Sequence, residues 1–332
     1  MSGILNKIDN VIEHLSSKNS FTNVYGLART LMALGTIFTL IFSSPDTLFR
    51  PGGLEIVQAK VSLLAYFNFF KLLDFKYINI LRFGAVALLC VVASGWRPRF
   101  TGIIQWWLAY SFVNSVIIIE GGDQVISNIS FLLLPVTLMD PRKSHWGAPA
   151  PAATPLSIRN LISNFCFGLI RLQMSVIYFH AAVGKIQSDD WQNGTALYYW
   201  FVHPIFGLSG WLKPIFMPLV TNSHIVVMLT WGTIIFEIAL FMGLVLQQSY
   251  RYLLLILGIL FHFLIAIIHG LPAFSLAMDG GLLLYFYPVD KSIHFFDRYA
   301  DPISSRVHYF FITKFKIYES KTKFAKEEGP LT

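Results

Sequence analysis

From Val24 to Tyr287 the chain is a succession of apolar stretches, most of them close to the roughly 20 residues that a helix needs to cross a bilayer. They cover residues 24–43, 57–73, 78–94, 101–119, 124–139, 158–186, 223–246, 252–269 and 272–287. In lipid every backbone N–H and C=O needs a partner within the protein, so stretches like these close up as helices. The expectation is an all-α, multipass transmembrane helical bundle of about eight or nine spans. Of the 332 residues 55% are hydrophobic and only 13% charged. A water-facing surface draws on about 25% charged residues, so a soluble globular protein is excluded. The same balance excludes a disordered chain.

Three segments fall outside this pattern. Residues 1–23 are polar and do not resemble a cleaved signal peptide. Within them Ile4, Leu5, Ile8, Val11, Ile12 and Leu15 recur at helical spacing, which predicts an amphipathic helix on the membrane surface. Residues 188–222 mix Trp191, Tyr198, Tyr199 and Trp200 with prolines, and read as interfacial or re-entrant backbone packed on the bundle. Residues 290–332 form a charged tail with eight Lys and Arg, which favours a cytoplasmic C-terminus. The transmembrane domain proper is then 24–289. Residues 140–154 read as a polar, Pro/Ala-rich linker inside it.

The net charge of +7 follows from cations gathered at loop ends and in the tail. It reflects membrane topology, with lipid as the partner and no role for nucleic acid. Cys90 and Cys166 both lie in apolar runs, without CxxC or zinc spacing. They read as small buried residues, and no metal site is expected.

A charge at the bilayer centre costs about 2.5–3.5 kcal/mol on insertion scales, so each ionisable residue within a span is a functional candidate. Residues 158–186 carry Arg171, Tyr178, His180 and Lys185; later spans add Glu237, His262, His269 and Asp279. Arg171, Tyr178 and Lys185 are seven apart and share a helix face, while His180 points elsewhere. Arg29, Arg82 and Arg171 suit structural pairing with carboxylates, for which Glu237 and Asp279 are the natural partners. Lys185 differs, because burial favours the neutral amine, a usable base or nucleophile. Snorkelling from the span end is the competing role. His262 and His269 stand about 10 Å apart along a helix, too far to share one ion.

The stretch YFHAAVGKIQSDDWQNGTALYYWF, residues 178–201, resembles a signature of the membrane domain of vitamin K-dependent gamma-carboxylases, which recurs in many bacterial membrane proteins. GDQVISNISFLLL and LMD precede it; WGTIIFEIALF and FHFLIAIIHGLPAFSLAM follow, in the same order as in that group. Within the group the chain is most similar to the sporulation-delaying protein B family, through its polar N-terminal helix, its first span FTNVYGLARTLMALGT and its short charged tail.

The resemblance implies a bacterial plasma-membrane protein that matures a secreted antimicrobial, sibling-killing toxin peptide from a precursor, acting with a small partner protein. It implies Lys185 as the base, with His180 or His262 as proton partner and Glu237 as the orienting group. The cofactor stays open, a reduced quinone being the one that the carboxylases bring into view. The large extracytoplasmic region of the animal carboxylase has no counterpart here. A quinone-dependent carboxylase or oxidoreductase on another substrate, and a non-catalytic transporter or immunity-like protein, remain the alternatives.

Overall fold

The computed structural model describes residues 2–49, 67–149 and 157–293. Among these residues the fold is all helical, with a single isolated bridge between Trp96 and Ser144 and no strand. Six helices are long and apolar enough to cross a membrane: Asn23–Phe42, Phe75–Ala93, Gly121–Met139, Ile158–Ile186, Ser223–Met242 and Gln248–His269. The helices used below are α1 (Ser2–Ser17), α2 (Asn23–Phe42), α3 (Ile78–Ala93), α4 (Pro98–Val113), α5 (Gly121–Met139) and α6 (Ile158–Ile186). They continue with α7 (Ala196–Val202), α8 (Lys213–Thr221), α9 (Ser223–Met242), α10 (Gln248–His269) and α11 (Pro272–Phe286).

Local sequence explains where these helices begin. Thr22, Ser157 and Asn222 cap α2, α6 and α9 by accepting from first-turn backbone amides. Glu120 and Asp123 form a reciprocal capping box at α5. Gly270, at φ 68°, ends α10 in the left-handed region, and Pro272 opens α11 two residues later. The outward faces of α9 and α10 expose Met228, Ile235, Ile256 and Phe263, as lipid contact requires.

The helix at the centre is the shortest of the apolar set. α11 has 15 residues and packs on α2, α5, α6 and α10. Its Asp279-Gly280-Gly281 sequence, which reads as a break, leaves the helix intact and lets its neighbours approach. A Cβ on Gly280 would stand 2.9 Å from the Ala28 carbonyl oxygen, and one on Gly281 2.7 Å from Met174 Sδ. Small residues at such crossings are how apolar helices pack where lipid offers no hydrophobic drive.

Several expectations change in the folded chain. Of the apolar stretch 57–73, residues up to 66 lie outside the described residues, and Phe69–Lys71 is a 3-10 turn. The stretch 101–119 only overlaps α4, which is 16 residues long, starts earlier at Pro98 and ends at Val113. Of the linker 140–154, residues 140–149 are not a solvated connector: Asp140 and His145 are fully buried. His145 N–H donates to the Gly95 carbonyl at 3.0 Å, and Arg97 N–H to that of Lys143 at 2.8 Å. Gly95 has φ +80°, and a Cβ there would meet the His145 ring at 2.6 Å, so only glycine fits. Cys166 is buried as expected, whereas Cys90 is exposed on α3. Residues 294–332 of the charged tail lie outside the described residues.

The amphipathic reading of the N-terminus gains a partner. α1 lies along the start of α6, where Asn160 Nδ2 donates to the Ser16 carbonyl at 3.1 Å. Asn164 Nδ2 donates to those of Leu15 and Lys18, both at 2.8 Å. These amides satisfy carbonyls that the end of a helix leaves open. Ile8, Val11 and Ile12 remain exposed.

Candidate functional site

The C-terminal half of α6, the middle of α9, the end of α10 and the start of α11 enclose a cavity of about 570 Å³. Short helices of the 188–222 segment close one side, through Trp191, Leu197, Trp200 and Phe216. The walls are mainly aliphatic and aromatic. Six polar side chains of the spans reach the lining: Tyr178 and Lys185 from α6, Thr233 and Glu237 from α9, and His262 and His269 from α10, with His269 Nδ1 2.8 Å from the Phe206 carbonyl oxygen.

Lys185 Nζ donates to Glu237 Oε1 at 2.7 Å. The same ammonium lies 5.2 Å from the centre of the Trp191 ring, within cation–π range. The second carboxylate oxygen, Glu237 Oε2, is buried without a hydrogen-bond partner. His262 is 1% exposed and its Nδ1 stands 3.6 Å from Asp279 Oδ1, beyond hydrogen-bond distance. Both atoms are buried and unpartnered, as is the Tyr178 hydroxyl. Asp279 Oδ2 accepts from Ser275 Oγ at 3.3 Å.

Three of the four residues singled out from sequence, Lys185, Glu237 and His262, therefore meet at one cavity. The fourth, His180, is exposed, packs edge-on against Phe179 and does not line it. Lys185 is engaged by a carboxylate rather than standing as an isolated amine. Lys185 and Glu237 are 52 positions apart, and no local spacing marks them as partners.

The arginines do not take these carboxylates. Arg29 donates to Gln105 Oε1 at 2.9 Å and to Thr101 Oγ1 at 3.1 Å. Arg82 donates to the carbonyls of Leu40 and Ile41. Neutral oxygens satisfy a guanidinium's five donors without a counter-charge, which leaves Glu237 for Lys185 and Asp279 facing His262.

YitO of Bacillus subtilis (strain 168), an uncharacterised protein, is 36% identical over 293 residues, 88% of this chain and 94% of YitO. Sporulation-delaying protein SdpB of the same organism is 33% identical over 290 residues, 87% of this chain and 88% of SdpB. The chain belongs to the SdpB family. No family model and no solved structure matches it.

In this SdpB-family chain a second polar cluster was not evident from sequence. The Tyr25 hydroxyl donates to Asp140, which also holds Arg142 in an ion pair at 2.9 Å. Arg29 Nη1 lies 3.3 Å from His145 Nδ1, and His145 Nε2 lies 3.4 Å from Thr30 Oγ1, which donates to the Ala93 carbonyl. Arg29 can only donate, so His145 accepts through Nδ1 and carries its proton on Nε2. Burial, with the Arg29 and Arg142 cations beside it, holds His145 well below the usual imidazole range. The cluster pins the 140–149 loop across the ends of α2 and α4. Among the described residues no group of three or more His, Cys, Asp or Glu is placed to hold a metal ion.

Proposed function

We propose that the protein is an integral plasma-membrane factor that matures a secreted antimicrobial toxin peptide from a precursor, acting with a small partner protein. Its likeness to sporulation-delaying protein SdpB supports the reading. The observation that carries it is the cavity, which offers apolar walls to a hydrophobic peptide and, inside, a half-buried Lys185 paired with a buried Glu237. In this reading the pair works as a unit, with Lys185 donating to Glu237 Oε1 and Glu237 Oε2 left to accept from a group on the substrate. His262 is favoured over His180 as the proton partner, because it lines the same cavity. The likeness of residues 178–201 to the gamma-carboxylase membrane domain supports placing the chemistry at Lys185. α4 and α11 are taken to cross the membrane with the six longer helices, giving eight spans and both termini on one side.

The test is mass spectrometry of the secreted peptide from cells with the gene, without it, and with a Lys185→Met/Glu237→Leu double variant. Loss of mature peptide and retention of precursor in the last two is expected. Wild-type yield without the gene would overturn the role; wild-type yield from the double variant would overturn chemistry at the pair.

A further inference from the structure

The polar end of the cavity is unbalanced in both charge and hydrogen bonding. Glu237 lines it and Asp279 stands just behind the lining His262, two carboxylates against one lysine, which is spent on Glu237 Oε1. Glu237 Oε2, Asp279 Oδ1 and His262 Nδ1 are buried with no hydrogen-bond partner, the last two facing each other at 3.6 Å. Glu237 and His262 are 6% and 1% exposed, and both line the cavity. The Tyr178 hydroxyl, on a residue 2% exposed, is unpartnered beside them. A buried polar atom left unpaired costs about 1–3 kcal/mol, and four of them at one site point to something that arrives to satisfy them.

The chemistry of that guest can be read from the orphans. The two carboxylate oxygens only accept, and His262 Nδ1 accepts when its ring proton is on Nε2, a choice of tautomer. The site therefore calls for several donors and a positive charge. An –NH₃⁺, which brings three N–H donors and one unit of charge, fits these acceptors, and among the described residues no group of three or more His, Cys, Asp or Glu is placed to hold a metal ion. The rest of the guest must suit walls such as Trp200, Phe261, Ile268 and Phe274.

We propose that this end of the cavity receives a primary ammonium carried by an apolar peptide segment, its N-terminus or a lysine side chain. The ammonium site stands on the geometry alone; its assignment to a peptide rests on the toxin-maturation reading.

The experiment uses the full-length protein in phosphatidylcholine nanodiscs, a lipid without primary amines. Radiolabelled dodecylamine is compared with dodecyltrimethylammonium, which has the same charge and tail but no N–H, after subtraction of protein-free discs. Dodecylamine should bind at least tenfold more tightly, and Asp279→Asn should bring the ratio close to one. Equal binding of the two by the unaltered protein would overturn the site, and so would a ratio unmoved by Asp279→Asn. If that variant does not fold, competition decides: an apolar peptide with a free N-terminus should displace dodecylamine and its lysine-free, N-acetylated form should not. Displacement by both peptides would overturn the proposal. Loss of dodecylamine binding when phosphatidylethanolamine replaces phosphatidylcholine would assign the site to lipid and overturn the peptide. Amine selectivity together with normal toxin yield in Asp279→Asn would keep the ammonium site and remove the toxin reading. Equal binding together with lost toxin would do the reverse.

Discussion

Lys185 Nζ rests 2.7 Å from Glu237 Oε1, between two helices that are otherwise apolar at this level, and the other oxygen of the carboxylate is buried with nothing to accept from. Removing one member of such a pair strands the other. Lys185→Ala is expected to destabilise the protein by about 3–5 kcal/mol and to lower its accumulation in the membrane. Replacing both, as Lys185→Met/Glu237→Leu, should restore accumulation, because matched apolar residues often replace a buried pair at no cost. Immunoblots of membrane fractions, read beside toxin yield, separate the two effects. Full accumulation of Lys185→Ala would mean that Glu237 is not held by this lysine.

Gly280 sets how closely α11 approaches α2. A side chain there meets the Ala28 backbone oxygen, which cannot swing aside as a side-chain end would. Gly280→Val is expected to cost about 1–3 kcal/mol through overpacking. Its thermal transition in detergent should fall by several degrees relative to the unaltered protein. An unchanged transition would show that the α2–α11 crossing is looser than described.

His145 is held neutral, so stability should depend on pH. Its native pKa is lowered from 6.5 by burial and by Arg29 and Arg142, so between the two values the unfolded chain binds a proton that the native one does not. Stability is then complete above about pH 7 and declines as pH falls below the unfolded value near 6.5. His145→Gln keeps an acceptor for Arg29 and does not titrate. It should flatten the decline between pH 7 and 5 in thermal unfolding measured across that range. A decline of equal slope in both proteins would place its origin elsewhere.

The 188–222 segment should be reachable from one side of the membrane only. Gln192 and Asn193 are exposed, on a short helical stretch directly after α6. Cysteines introduced at Gln192, Asn193 and Thr195 are expected to react with an impermeant thiol reagent from a single face, and precursor peptide should slow the reaction. Labelling from both faces would contradict an interfacial position, and labelling indifferent to the peptide would make the segment a plain connector.

Hydropathy marks where helices are, and it located α2, α3, α5, α6, α9 and α10 to within a few residues. It does not rank helices by depth. α11 reads as the weakest span because of Asp279, Gly280 and Gly281, yet those residues accompany its central position: the glycines admit neighbouring backbones, and the aspartate faces a histidine instead of lipid. Pairing was legible only in part. That Lys185, Glu237 and His262 matter follows from the cost of placing them in lipid, but which carboxylate serves which cation depends on crossings between helices far apart in sequence. Arg29 and Arg82 illustrate this, since a local reading gives them carboxylates and the fold gives them carbonyl, amide and hydroxyl oxygens. Asp140 and His145 were hidden for another reason: polar residues beside prolines look like a loop in water whether or not the loop is folded inward.

A helix of 15 residues rises about 22 Å, some 8 Å less than the hydrocarbon core is thick. Alone in a bilayer, α11 would pull the two leaflets together or tilt its neighbours. Packed instead among the longer α2, α5, α6 and α10, it leaves the missing length inside the protein. The cavity lies at the start of the helix, lined by Leu271 just ahead of it and by Phe274 and Met278 of its first half. Its depth is therefore fixed by a count of backbone residues more than by the bulk of any side chain. Two further turns added ahead of Pro272 would be expected to fill the recess, whatever side chains they carried.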